Sequence, residues 1–348
     1  MAKVYVASIL ISILLSLFFV PLSIFLSKQF DVYDIPDKRK VHTRPIPRWG
    51  GLGIFLTFVI TLIIIRYISP QFRNLLIGKL SYTSKFIGNL SLETQIAGLL
   101  TGMTFVLILG MIDDKRGVRA LTKFLVQIIS AYCAMDFGIR ISGIVLPTTL
   151  KYYQFPILLS QGITVLWIIG FMNTINLADG LDGLAAGIVT IASGTFFIVS
   201  ILQMKQTNDP IILSQLQLSA ILSLILCGTT LGFLLFNFNP AKVFMGDSGA
   251  LTLGFLLASI SIIGTLKTTA VMSLFIPIII IALPVIDVVF SIYRRLRKGM
   301  SIGEPDKKHI HHRLLKFGWT QREVVLFLYI VTLILSIIAI TITALSKR

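Results

Sequence analysis

The chain has 348 residues, 55% of them hydrophobic and only 13% charged, with a mean hydropathy of +0.89. A soluble domain carries about 25% charged residues, so the composition excludes an ordinary soluble globule. The formal charge of +16 would suggest nucleic acid in a soluble chain; here basic residues that orient membrane spans explain it first, and no nucleic-acid partner is expected.

Apolar runs long enough to cross a bilayer as helices recur from end to end. They predict about ten spans, near 4–27, 50–68, 94–112, 120–138, 157–172, 184–203, 216–236, 249–266, 270–290 and 323–345. Val4–Leu26 is too long for the apolar core of a signal peptide and has no small-x-small cleavage site after it, so it reads as a retained first span. Gly138–Pro156 mixes turn residues with apolar ones and is expected at the membrane interface. The segments of about ten alternating residues that mark a membrane barrel do not occur. The expected fold is all-α and polytopic, with one domain over residues 1–348 and a strongly basic loop at 291–322. Cys133 and Cys227 lie in apolar runs without metal-ligand spacing and read as small core residues.

Ten spans place the connections alternately on two faces. One face collects 28–49, 113–123, 173–183, 237–248 and 291–322, with about 20 of the 31 Lys and Arg residues, which makes it cytoplasmic and puts both termini outside. Acids do not obey that rule, yet only Glu93, Asp136 and Asp209 fall on the opposite face. All four histidines (His42, His309, His311, His312) share the cytoplasmic face. Acids, bases and histidines gathered there predict a polar site that binds phosphate and metal.

Three constellations supply that site. In "GMIDDKRGVRALTK" (110–123), the adjacent Asp113 and Asp114 at a membrane edge repel each other unless a cation or proton intervenes. Asp114 as a cap for the next element is the structural alternative, and Lys123 is within reach of a phosphate. In "NPAKVFMGDSGAL" (239–251), Asp247 stands at a helix start, where it serves as an N-cap or presents free backbone N–H groups to an anion. Asn237 and Phe244 flank it, and an aromatic at Phe244 suits either core packing or stacking on a base. In "NTINLADGLDGLAAG" (173–187), Asn173, Asn176, Asp179 and Asp182 recur every three residues. Each such step falls about 60° short of a helical circle, so the four converge only if the backbone bends at Gly180 and Gly183. Carboxylate and amide oxygens suit Mg²⁺ or Mn²⁺ rather than zinc. Without a Ser or Cys nucleophile beside a base, the chemistry indicated is phosphoryl transfer on a diphosphate.

The ordered motifs "HTRPIPRWGG" (42–51), "DDKRG" (113–117), "NTINLADGLDGLAAG", "NPAKVFMGDSGAL" and "RRLRKG…HIHHRLL" (294–315) resemble those of the polyprenyl-phosphate N-acetylhexosamine-1-phosphate transferases. That family includes phospho-MurNAc-pentapeptide translocase; "PIPRWGG" and "HIHH" resemble its UDP-GlcNAc branch, since Ile310 interrupts the three consecutive histidines usual in the other. The resemblance implies transfer of GlcNAc-1-phosphate from a UDP-GlcNAc donor to a polyprenyl (undecaprenyl) phosphate, with release of UMP and a requirement for Mg²⁺. It implies a multi-pass protein of the bacterial plasma membrane, surrounded by membrane lipids, serving teichoic acid, O-antigen or another surface glycan, with a homodimer as a further implication. It makes Asp247 and Asn176 the metal ligands and gives Lys123 and Arg295 the diphosphate. Asp182 and Phe244 address uracil, Asp179 and Asn237 line the nucleoside side, and His309 the sugar-phosphate side. Asp113, with Asp114 beside it, is the candidate base for the lipid phosphate.

Three rivals fit less well. "DGLDGLAAG" resembles the CDP-alcohol phosphotransferase pattern, but Gly187 stands where that pattern has Arg. An intramembrane prenyltransferase leaves the basic histidine loop unexplained. A transporter or lipid flippase calls for polar groups near the bilayer midplane in related halves of the chain, and no internal repeat is visible.

Overall fold

A computed structural model of the chain describes residues 1–36, 44–84, 88–145, 152–264, 275–297 and 310–346. The helices are α1 (Ala2–Gln29), α2 (Gly50–Ile68), α3 (Pro70–Leu76), α4 (Leu92–Arg116), α5 (Ala120–Asp136), α6 (Ile157–Ala178), α7 (Leu184–Met204), α8 (Pro210–Asn237), α9 (Gly246–Ile263), α10 (Phe275–Ile280), α11 (Ala282–Arg297), α12 (Ile310–Lys316) and α13 (Gln321–Leu345). Three two-stranded antiparallel pairs interrupt them: β1 (Tyr33–Asp34) with β2 (Ile46–Pro47), β3 (Lys79–Ser84) with β4 (Gly88–Ser91), and β5 (Gly143–Val145) with β6 (Tyr152–Gln154).

The all-α polytopic class holds. Among the described residues, eight helices are long and apolar enough to cross a membrane: α1, α2, α4, α6, α7, α8, α9 and α13. The other two expected spans differ. The fourth is α5, with 17 residues. The ninth is divided into α10 and α11, which meet at Ile281, and residues 265–274 before it lie outside the described residues. Pro284 in the first turn of α11 has no N–H to continue a helix from α10. Helix α8 begins earlier than expected because Asp209 accepts from the N–H groups of Ile211 (2.8 Å) and Ile212 (3.2 Å), with Pro210 at the first helical position. Between α5 and α6, the turn-rich segment forms the β5–β6 pair.

Helix α9 is the axis of the bundle. Every residue of it except Asp247 is buried, and α2, α4, α6, α7 and α8 pack against it. Its neighbours approach through missing side chains. A Cβ at Gly110 of α4 would strike Ser248 Cα, and one at Gly51 of α2 would strike Gly249 N. Both contacts press on the start of α9, where Asp247 stands. Outside this core, α1 turns Ser8, Ser12, Ser16, Ser23 and Ser27 inward and exposes Leu10, Leu14, Phe18 and Phe25. In lipid an apolar face gains nothing by hiding, whereas small polar residues let backbones close on one another; Ser16 Oγ donates to Thr229 O of α8 at 3.2 Å.

The same helices carry charge at both ends, in different amounts. At one end Arg66 of α2 pairs with Glu93 of α4 at 2.7 Å. The opposite ends of α2 and α4, with the start of α9, hold the acid-rich cluster described below. Gly110→Ala is expected to cost about 1–3 kcal/mol through overpacking against Ser248, read as a lower melting temperature in detergent. Gly170→Ala, where an added Cβ meets nothing within 4 Å, should cause no loss.

Candidate active site

The site begins with a segment that docks beside the start of α9. Phe244 N donates to Pro47 O (2.8 Å), Gly50 N to Phe244 O (3.0 Å) and Gly51 N to Met245 O (3.1 Å). These bonds hold "PIPRWGG" along "VFMGD" and aim Arg48 at the carboxylates. Its Nε lies 3.1 Å from Asp114 Oδ1, one terminal nitrogen 3.3 Å from Asp34 Oδ1, and the other 3.6 Å from Asp247 Oδ1. Burial opposes the guanidinium's charge, but Asp114, Asp34, Asp247 and Asp179 outweigh it and raise its pKa above the ordinary value. Arg48 is a fixed cation.

Asp114 and Asp113 are neighbours in sequence with different surroundings. The Asp114 side chain is fully enclosed, at 0% exposure. It accepts from Asp247 N (2.8 Å), Ser248 N (3.2 Å) and Ser248 Oγ (2.7 Å) as well as meeting Arg48. A carboxylate there satisfies free donors at the positive end of α9. Asp113 turns the other way: Oδ1 accepts from Val118 N at 2.6 Å, and Oδ2 from Lys123 Nζ at 2.6 Å. Lys123 also donates to Asp247 Oδ2 at 2.7 Å and so bridges one carboxylate ten residues before it and another 124 residues after it.

Asp113, Asp114 and Asp247 offer one oxygen each within 4.8 Å of one another. Their three carboxyl groups face Lys123 and Arg48, with Asp34 adding a fourth. The cluster therefore retains an excess of negative charge, and hard oxygen donors with that excess fit a divalent cation. Asp247, at 16% side-chain exposure, is the most open of the three.

A second cluster forms where α6 ends. The helix stops there, as a bend at Gly180 and Gly183 allows: Asp179 is its C-cap, and Gly183 precedes α7 in the left-handed region at φ +80°. Asn237 Oδ1 accepts from Gly183 N (3.1 Å) while its Nδ2 donates to Val243 O (2.8 Å). Asp182 Oδ2 accepts from Asn239 Nδ2 (3.0 Å) and Ala241 N (3.1 Å). The start of α13 closes this loop pair through Gln321 and Arg322, both on Asn239, and through Tyr329 Oη on Gly183 O.

The remaining expected residues are spread around these clusters. Asn176 is half-buried one turn before the end of α6, with no side-chain hydrogen bond among the described residues. Asn173 Nδ2 instead bonds Gln127 Oε1 at 2.8 Å, tying α6 to α5. Phe244 is half-buried in the docked segment, and Arg295 is buried on α11, which packs on α6. His309 and His42 lie outside the described residues, as do the side chains of His311 and His312. Sequence reasoning gave no role to Arg48, Asp34, Ser248, Asn239 or Gln127. The available signal for Arg48 was its place in the quoted "PIPRWGG", immediately before an uncharged span start.

The glycosyl transferase family 4 model matches residues 96–265. A probable undecaprenyl-phosphate N-acetylglucosaminyl 1-phosphate transferase of Bacillus subtilis is 35% identical over 335 residues, covering 96% of this chain and 84% of the relative. The chain belongs to glycosyl transferase family 4. A decaprenyl-phosphate N-acetylglucosaminephosphotransferase of Mycobacterium leprae is 33% identical (88% of this chain, 75% of the relative). A phospho-N-acetylmuramoyl-pentapeptide-transferase of Bacillus velezensis is 29% identical, covering 95% and 94%. Among these family 4 relatives, the N-acetylglucosamine transferases are the nearer. The chain is thus a membrane enzyme of the glycosyl-1-phosphate transferase type.

Asp179 gives this family 4 site a pH signature. Burial pushes its pKa up to about 8; Asp247, Asp114 and Asp182 add to the rise, and Arg48 opposes it. The folded chain therefore holds a proton there that the unfolded chain releases near pH 4, so this group's contribution to stability falls as pH rises from about 4 to about 8. Asp179→Asn removes that decline. Its gain in melting temperature over the parent should be larger at pH 8 than at pH 5.5, in metal-free buffer.

Proposed function

We propose that this enzyme transfers GlcNAc-1-phosphate from UDP-GlcNAc to undecaprenyl phosphate, releasing UMP, at the cytoplasmic face of the bacterial plasma membrane. The observation that carries the reading is the Lys123 bridge between Asp113 and Asp247 beside the Arg48–Asp114 pair, an acid-rich centre with basic partners at one end of the bundle. The relatives' names supply the sugar and the lipid: the N-acetylglucosamine transferases match at 35% and 33%, the pentapeptide transferase at 29%. The proposed pathway role is the first membrane step of a surface glycan.

The acceptor phosphate is a monoester with a second pKa of about 6, mostly dianionic at neutral pH, so it needs little help from a base. One of its oxygens attacks the β-phosphorus of the donor. The bond from that phosphorus to the bridging oxygen breaks, UMP leaves with the electron pair, and the sugar C1–O bond is retained. Asp113 orients the acceptor and takes any residual proton, while Asp114 holds Asp247 in place. Lys123 and Arg295 hold the diphosphate. Asp182 and Phe244 meet uracil, with Asp179 and Asn237 on the nucleoside side and His309 toward the sugar phosphate. Asp247 and Asn176, with Asp113 near, would hold Mg²⁺, which supplies charge neutralisation on the diphosphate. Positioning and electrostatics account for most of the acceleration expected of such a centre.

Purified protein with undecaprenyl phosphate, Mg²⁺ and UDP-GlcNAc should release UMP, and more slowly with other UDP-sugars. UMP release that ignored the lipid would refute the transferase reading. Asp247→Ala and Asp113→Asn should each lower turnover by about two orders of magnitude or more with melting curves intact. Arg295→Lys should also be costly, since an ammonium does not reproduce a two-pronged guanidinium grip. With a donor chiral at the β-phosphorus, direct displacement inverts configuration; retention would require a covalent intermediate and contradict this mechanism.

A further inference from the structure

Lys123 touches the two oxygens that a cation shared by Asp113 and Asp247 would use. Its Nζ lies 2.6 Å from Asp113 Oδ2 and 2.7 Å from Asp247 Oδ2. The remaining carboxylate oxygens of the triad are also engaged. Asp113 Oδ1 is held by Val118 N, Asp114 Oδ1 by Asp247 N and Arg48, and Asp114 Oδ2 by Ser248. Asp247 Oδ1 faces Arg48 at 3.6 Å. A magnesium ion sits about 2.0–2.1 Å from its oxygen ligands. On either of the Lys123-bound oxygens it would therefore lie within about 5 Å of Nζ, sharing carboxylates with a positive charge.

We propose that Lys123 and the divalent cation are competing occupants of the Asp113–Asp247 gap, so that metal loading releases Lys123 toward the donor diphosphate. The inference rests on the proposed transferase reading and adds an antagonism to it: the lysine needed for transfer weakens metal binding. Lys123 holds the two carboxylates together and offsets part of their charge until the metal and the charged donor arrive. It then exchanges a carboxylate partner for a phosphate one, and the anionic donor joins the carboxylates in balancing both cations. The half-exposed position of its side chain, at 27%, leaves it room to move. The other basic groups near the cluster do not share this behaviour, since Arg48 is held by three carboxylates at once.

The test is Mn²⁺ titration of the purified full chain in detergent without substrates, followed by electron paramagnetic resonance. Lys123→Met and Lys123→Gln should bind Mn²⁺ roughly tenfold or more tightly than the parent, while UMP release falls. Lys123→Arg, which keeps the charge, should show no such gain. In the parent protein, Mn²⁺ should also increase acetylation of Lys123 by acetic anhydride, read by mass spectrometry, which needs no variant to fold. Parent protein that binds Mn²⁺ with neutral variants that bind equally or more weakly, and Lys123 acetylation unchanged by metal, would overturn the antagonism and leave the transferase reading standing. Mn²⁺ bound by neither the parent nor the neutral variants would also overturn the antagonism, while UMP release tests the transferase reading separately.

Discussion

The carboxylate of Asp114 at the start of α9 is the interaction on which the rest of the site depends. It joins the end of α4 to the first turn of the bundle's central helix through Asp247 N, Ser248 N and Ser248 Oγ, and Arg48 completes its shell. An enclosed carboxylate is stable only when its hydrogen-bonding capacity is filled and its charge is matched. Both conditions are met here by groups that also define the site. Satisfying Asp114 fixes the backbone of Asp247, and fixing Asp247 leaves its carboxylate facing outward from an otherwise buried helix. The close approach at Gly51 and Gly110 makes this possible, because ordinary side chains there would hold α2 and α4 away.

The second cluster is built on a different backbone break. Helix α6 must end so that Asp179 and Asp182 reach different partners, and the loop from Asn237 to Val243 receives the broken end. Because Asn239 also meets Gln321 and Arg322, the start of α13 bears on the same loop. The bundle thus presents two adjoining polar regions, one built around carboxylates and their basic partners and the other around amides, backbone groups and Asp182. Such a division suits a donor with a charged diphosphate and a neutral base.

Much of this was legible in the sequence because membrane solvent makes strong demands. Apolar runs marked the eight helices long enough to span, and Gly180 and Gly183 within the polar row marked where the helix breaks between Asp179 and Gly183. What was not legible depends on contacts between distant segments. Asp113 and Asp114 look alike in sequence; the difference between them comes from α9, some 130 residues later. Arg48 had no role assigned from the sequence, because the docking of Pro47 on Phe244 that aims it inward joins distant segments. Asn173 looked like part of the polar row, and its partner Gln127 on α5 shows it to be a tie between helices. The division of the ninth span at Ile281 is a case where local proline chemistry overrode a continuous apolar signal.

The central claim is that Arg48 and Asp114 act as one unit that holds Asp247. A double-mutant cycle on turnover tests it most directly, using Arg48→Lys, Asp114→Asn and the pair together, with melting curves to confirm folding. If the two residues form a single unit, the double variant should be about as slow as the slower single variant, giving a coupling energy of roughly 0.5–3 kcal/mol. Losses that simply multiply would show that Arg48 and Asp114 act independently, and would contradict the account.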